Sequence, residues 1–192
     1  MTQSPVSTLN TDRNEAMTAE RTIALVGLMG AGKSTVGRRL ANRLGRPFFD
    51  SDAEIEKAAG LTIADIFSHL GETEFRRGEQ RVLGRLLSGP PHVLATGGGA
   101  YLNSQTRDLL RQTAVTVWLD ADLETLWKRV SKRSHRPLLQ RPDAKTVLQE
   151  LLESRKPIYQ LADVRVKSID GPHSKTVDAI MAALESGEWI TT

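Results

Sequence analysis

The sequence predicts an α/β protein: a five-stranded parallel sheet flanked by helices, with a mobile lid. Three observations carry that prediction. Short apolar runs alternate with helix-period patterns from residue 21 to residue 184, the order expected of strands joined by right-handed crossover helices. The first run, Ile23-Ala24-Leu25-Val26, leads directly into Gly27-Leu28-Met29-Gly30-Ala31-Gly32-Lys33-Ser34-Thr35 and then into a helical pattern ending at Leu44. A proline-containing basic stretch between residues 132 and 143 breaks the rhythm once.

Taken in order, the first 20 residues are polar, with Ser, Thr, Asn and a proline, and show no apolar periodicity. They are expected to be a disordered tail preceding a single folded domain over 21–192. With Asp12, Glu15 and Glu20 against the single base Arg13, and no apolar core, the tail fits neither a transit peptide nor a secretory signal. Met17 is an alternative start.

The first strand (22–26) ends in a phosphate-binding loop. Glycines let the backbone approach a polyphosphate with its N–H groups turned inward, and the following helix offers its positive end. Gly30, Ala31 and Gly32 supply that cradle, Lys33 reaches the β- and γ-phosphates, Ser34 offers a hydroxyl to Mg²⁺, and Thr35 adds a donor to the α-phosphate. A P-loop after the first strand of a parallel sheet is a P-loop kinase core. It leaves the acceptor open.

The second strand (47–49) runs into Phe49-Asp50-Ser51-Asp52. Asp50 and Asp52 point to one side if the strand stays extended, at the sheet edge where α/β ligands bind. One carboxylate near Mg²⁺ and one on an acceptor hydroxyl is one reading; a helix cap is the other, equally weighted. Helical patterns follow over 52–59 and 62–70. Arg76 and Glu79 are then spaced to pair on one helix face, usually as surface decoration. The alternative is a guanidinium held ready for a carboxylate substrate.

The third strand (92–96) ends in Gly97-Gly98-Gly99, whose bare backbone suits close approach of a ligand. A helix from about residue 104, a fourth strand (115–119) and a helix over 123–131 follow. From Lys128 to Lys145 there are seven basic residues and one acid, a local +6 that leaves the rest of the chain at −3. Such a loop predicts a lid that brings Arg136 onto the transferred phosphoryl group and excludes water. Arg155 lies on a helix expected to break at Pro157; a fifth strand (162–167) and a last helix (174–184) complete the pattern.

Composition excludes several classes. The chain has 192 residues, 26% charged, 39% hydrophobic and no cysteine, so disulfides, thiolate catalysis and zinc–thiolate sites are out. No apolar run approaches a membrane span, and the cytoplasm is the expected compartment. The basic segment has no aromatics to stack bases, so nucleic acid is not expected as a partner. His69, His92, His135 and His173 are read as structural or surface residues, Trp118 and Trp127 as packing.

Together these segments resemble shikimate kinase. The motifs are Gly30-Ala31-Gly32-Lys33-Ser34-Thr35, Phe49-Asp50-Ser51-Asp52, Phe75-Arg76-Arg77-Gly78-Glu79, Thr96-Gly97-Gly98-Gly99, Arg136-Pro137-Leu138-Leu139 and Arg155-Lys156-Pro157-Ile158-Tyr159. The resemblance implies transfer of the γ-phosphoryl group of ATP to the 3-hydroxyl of shikimate, in aromatic amino-acid biosynthesis. It implies that Lys33 and the P-loop hold phosphate, that Ser34 and Asp50 serve Mg²⁺, and that Asp52 is the base and binds the shikimate hydroxyls. Arg76 and Arg155 would clamp the carboxylate beside Gly97, Gly98 and Gly99, with Glu79 orienting Arg76. Arg129 would stack on adenine near Asp170-Gly171-Pro172, and Arg136 would be the lid arginine. ATP and shikimate are the implied partners; a chain this small with a complete site is expected to work as a monomer. The alternative acceptor is a sugar acid, as in gluconate-type kinases; a nucleotide-binding module without catalysis is the third reading.

Overall fold

The structure is a computed structural model and describes residues 21–131, 143–187, 189 and 190. The expected tail (residues 1–20) and the lid with Arg136 and His135 lie outside the described residues.

Five strands form one sheet in the order β2-β3-β1-β4-β5, every neighbouring pair parallel. They are β1 (Thr22–Val26), β2 (Phe48–Asp50), β3 (Val93–Ala95), β4 (Ala114–Asp120) and β5 (Val164–Lys167). β1 lies at the centre, and its Ile23, Ala24, Leu25 and Val26 are wholly buried. That is why its sequence is a continuous apolar run: a central parallel strand is covered on both faces. β5 is an edge, and it alternates buried Val164 and Val166 with exposed Arg165 and Lys167, charges that discourage a further strand from pairing.

The helices are α1 (Lys33–Leu44), α2 (Ser51–Ala59), α3 (Ile63–Leu87), α4 (Ser104–Thr113), α5 (Leu123–Val130), α6 (Ala144–Tyr159) and α7 (His173–Ser186). Four of them start with a side-chain cap: Asp50 for α2, Thr62 for α3, Asn103 for α4 and Asp122 for α5. α3 continues well past residue 70, with a kink where Gly71 takes φ 79°, ψ 171°. The break expected at Pro157 does not occur. α6 runs through it to Tyr159: Pro157 forgoes the bond its nitrogen would donate to the Glu153 carbonyl, and only Ile158 and Tyr159 of the helix follow it, both packed on the core.

The strand order reverses direction between β1 and β3. The segments leaving these two adjacent strands, the P-loop and Gly97–Gly99, therefore diverge and leave a crevice beyond their carboxyl ends. One contiguous hydrophobic cluster, including Leu40, Leu83, Leu94, Leu119, Trp118 and Tyr159, supports the sheet beneath it.

Candidate functional site

A cleft of ≈440 Å³ fills that crevice, with P-loop residues, Asp50, Asp52, Thr96, Gly98 and Arg129 in its walls. Gly27, Gly30 and Gly32 of the loop all have positive φ, at 136°, 83° and 97°, values that exclude most side chains. Lys33, the first residue of α1, is buried; its Nζ donates to the carbonyls of Gly27 (2.7 Å) and Leu28 (3.1 Å).

Asp50 caps α2 and also bonds the P-loop hydroxyl. Its Oδ1 accepts the Asp52 N–H (3.1 Å) and so caps α2, while its Oδ2 accepts from Ser34 Oγ at 2.5 Å. The hydroxyl and carboxylate form a pair of hard oxygens beside the loop. Such a set fits Mg²⁺, which takes one or two protein oxygens and completes its octahedron with phosphate and water. Among the described residues no group of three or more His, Asp or Glu side chains could hold a metal unaided.

On the other side of the cleft, three elements converge on the triple glycine. Ser51, fully buried, accepts the Gly97 N–H through its hydroxyl (2.8 Å) and ties α2 to the turn. A Cβ built on Gly97 would lie 2.5 Å from Asp52 Oδ1 and 3.3 Å from Glu79 Oε1; one on Gly99 would lie 2.9 Å from Arg76 Nη2. Gly98 backs onto the P-loop, 3.3 Å from its Cβ position to Met29 N. These glycines are therefore space for Asp52, the loop backbone and Arg76.

The Arg76–Glu79 pair is more than surface decoration. Arg76 Nη1 donates to Glu79 Oε2 at 2.8 Å, and the Glu79 side chain is 2% exposed. Burial pushes the Glu79 carboxyl above its ordinary range, the Arg76 bond and charge pull it back, and Glu72 adds to the rise. Burial works against the Arg76 charge, yet Glu79 and Glu72 hold its pKa above the usual value. Arg155, from α6, donates weakly to the Gly98 carbonyl at 3.5 Å.

Arg129 closes the opposite end. Its guanidinium donates to the carbonyls of Gly30 (3.4 Å), Ala31 (3.3 Å) and Ile169 (2.6 Å) and to Ser168 Oγ (3.0 Å). It thus joins α5, the P-loop and the segment after β5, where Asp170 meets Lys128 at 2.5 Å. Burial lowers the Arg129 pKa, with Asp170 and Asp122 opposing.

Sequence reasoning missed Ser51, Tyr159, Ser168 and His173. Ser168 donates to Ala31 O at 2.9 Å, and Tyr159 to Gly98 O at 2.6 Å. His173, expected to be structural or surface, stands in the cleft wall beside Gly32 with its Nδ1 buried and without a hydrogen-bond partner among the described residues. Burial, then Arg129 and Arg39, lowers its pKa. Only the three-dimensional contacts reveal these roles; Tyr159 alone carried a sequence signal, one turn beyond Arg155 in the same motif.

Comparison with known proteins returns a consistent answer. The family model described as shikimate kinase matches residues 29–185. A shikimate kinase of Caulobacter vibrioides is 57% identical over 164 residues, covering 85% of this chain and 82% of its own length. Among solved structures, shikimate kinase from Acinetobacter baumannii in complex with shikimate superposes with a TM-score of 0.83 at 40% identity, covering 90% of this chain and 97% of that one. A gluconokinase from Sinorhizobium meliloti reaches a TM-score of 0.58 at 24% identity over 88% of this chain and 93% of its own, a likeness of fold alone.

Proposed function

The chain belongs to the shikimate kinase family, and from that premise we propose how its residues divide the work of phosphorylating shikimate at the expense of ATP. The products are shikimate 3-phosphate and ADP, and the step serves aromatic amino-acid biosynthesis. The sugar-acid alternative is not favoured, because the likeness to a gluconokinase extends to the fold only.

Phosphoryl transfer calls for positioning and charge stabilisation more than covalent chemistry. Gly30, Ala31, Gly32 and Thr35 offer donors to the phosphates of ATP. Lys33 exchanges its carbonyl partners for phosphate oxygens, which its three ammonium donors allow without loss of hydrogen bonding. Ser34 and Asp50 would hold Mg²⁺, which would supply charge neutralisation at the phosphates. Arg129 and His173 flank the base end of the cleft.

Asp52 binds the acceptor hydroxyl and takes its proton as the new P–O bond forms. Arg76, set by Glu79, and Arg155 grip the substrate carboxylate, a geometry suited to guanidinium. Gly97, Gly98 and Gly99 keep the floor of this pocket free of side chains. Arg136, on the basic segment, neutralises charge on the transferring group, which a basic lid does best with water excluded. We assign residues 21–192 to this one kinase domain, acting as a cytoplasmic monomer. Among the described residues no helix is long and apolar enough to cross a membrane.

The observation that carries the reading is the convergence of Asp52, Arg76 and the triple glycine beside the P-loop. Its test is ADP release with ATP and Mg²⁺ against shikimate, gluconate and no acceptor in parallel. Turnover with shikimate alone is expected. Turnover with gluconate, or none with either, would overturn the acceptor assignment.

A further inference from the structure

Tyr159 is the buried group in this site to which no role has yet been attached. Its ring is 1% exposed and stacks against Tyr101 and Trp118, with centroids 6.4 Å and 6.2 Å away. That stack fixes the direction of the hydroxyl, which donates to the Gly98 carbonyl at 2.6 Å. Burial raises the phenol pKa, with Arg155's charge and hydrogen bond opposing, so the hydroxyl keeps its proton through the neutral range. The same carbonyl receives Arg155 Nη1 at 3.5 Å, near the outer limit for a hydrogen bond. Tyr159 and Arg155 lie one turn apart on α6, so one helix face brings both donors to one acceptor.

We propose that Tyr159 is a positioning residue whose hydroxyl satisfies the Gly98 carbonyl so that Arg155 is released from it to bind the shikimate carboxylate. This inference rests on the reading of Arg155 as a carboxylate clamp. A carbonyl with a single donor resists losing it, whereas one that keeps a short bond to tyrosine gives up a long bond to arginine at little cost.

The test is kinetic. Tyr159→Phe keeps the stacked ring and removes only the hydroxyl. It should raise the KM for shikimate about three- to ten-fold, with the KM for ATP and kcat within two-fold of the parent and cooperative unfolding retained. Arg155→Ala should raise the same KM further, and the double variant should match Arg155→Ala, since the hydroxyl acts through that arginine. An unchanged KM in Tyr159→Phe while Arg155→Ala is impaired overturns this inference and spares the clamp; so does additivity in the double variant. An unchanged KM in Arg155→Ala overturns the clamp itself and this inference with it. A crystal structure of the unaltered enzyme with shikimate supplies a check without substitutions. Tyr159 should remain on Gly98 O with Arg155 moved to the carboxylate; Arg155 still on Gly98 O, or Tyr159 detached from it, overturns the inference.

Discussion

Arg76 donates to Glu79 across one turn of α3 at 2.8 Å, and the carboxylate it meets is out of solvent. Each member depends on the other. Arg76→Ala should raise the KM for shikimate about ten- to hundred-fold, the range for losing a hydrogen bond to a charged group. It also leaves Glu79 buried without its guanidinium, costing about 1–3 kcal/mol of stability near neutral pH. Because burial already raises the Glu79 pKa, the folded state binds more protons than the unfolded state above the ordinary carboxylate range, and stability there falls as pH rises. Losing Arg76 raises that pKa further. Thermal melts of Arg76→Ala should therefore decline more steeply from pH 5 to pH 7.5 than those of the parent; parallel declines would remove Glu79 from the account.

Ser34 and Asp50 make the second separable pair. Asp50→Asn keeps a residue able to cap α2 but exchanges the carboxylate near Ser34 Oγ for an amide. Turnover should fall about ten- to hundred-fold at limiting Mg²⁺, recover in part as Mg²⁺ is raised, and leave the melting temperature within a few degrees. Titrating kcat against Mg²⁺ for both proteins checks this; identical Mg²⁺ dependence would remove Asp50 from the metal.

His92 gives a stability prediction away from the chemistry. Its Nδ1 lies 2.9 Å from Pro90 O, which can only accept, so the proton sits on Nδ1; the buried Nε2 is bare and has no hydrogen-bond partner among the described residues. A second proton would bury an N–H without an acceptor. Burial accordingly lowers the pKa, with the Pro90 bond opposing. The unfolded chain then binds more protons below about pH 6.5, and stability falls as pH drops through that point. His92→Asn should be less stable at pH 7.5 yet lose less between pH 7 and pH 5. An unchanged slope in chemical denaturation at the two pH values would show that His92 is not the titrating group.

What could be read from sequence, and what could not, divides by range. The P-loop, the strand that feeds it and the helix that leaves it are contiguous, so the pattern around Lys33 exposes them directly. Asp50 was ambiguous because a cap and a metal-side carboxylate need the same residue at the same place, and it turns out to serve as cap while bonding Ser34. Glu79 looked like decoration because spacing reports the helix face and says nothing about burial. Ser51 and Tyr159 act on Gly97 and Gly98 across 46 and 61 residues, contacts that exist only once the sheet order brings β2, β3 and α6 together. His173 was hidden similarly, since its neighbours Gly32 and Arg129 belong to other elements.

The triple glycine yields the most discriminating prediction, because each missing side chain would strike a different part of the machinery. In Gly99→Ala the new methyl falls 2.9 Å from Arg76 Nη2, the far end of a flexible chain. The guanidinium can yield, so stability should hold while the KM for shikimate rises several-fold. In Gly97→Ala the methyl falls 2.5 Å from Asp52 Oδ1. The carboxylate must swing away, and a shift of that size in the group proposed to accept the proton should lower kcat by about a hundred-fold. In Gly98→Ala the close contact is backbone, Met29 N at 3.3 Å. The P-loop must give slightly, and the KM for ATP is the parameter that should move. Steady-state kinetics on the three variants separate these outcomes. A common loss in all three parameters, tracking reduced stability, would mean that the turn is merely tight; three distinct signatures would mean that it partitions the site into carboxylate, hydroxyl and phosphate sectors.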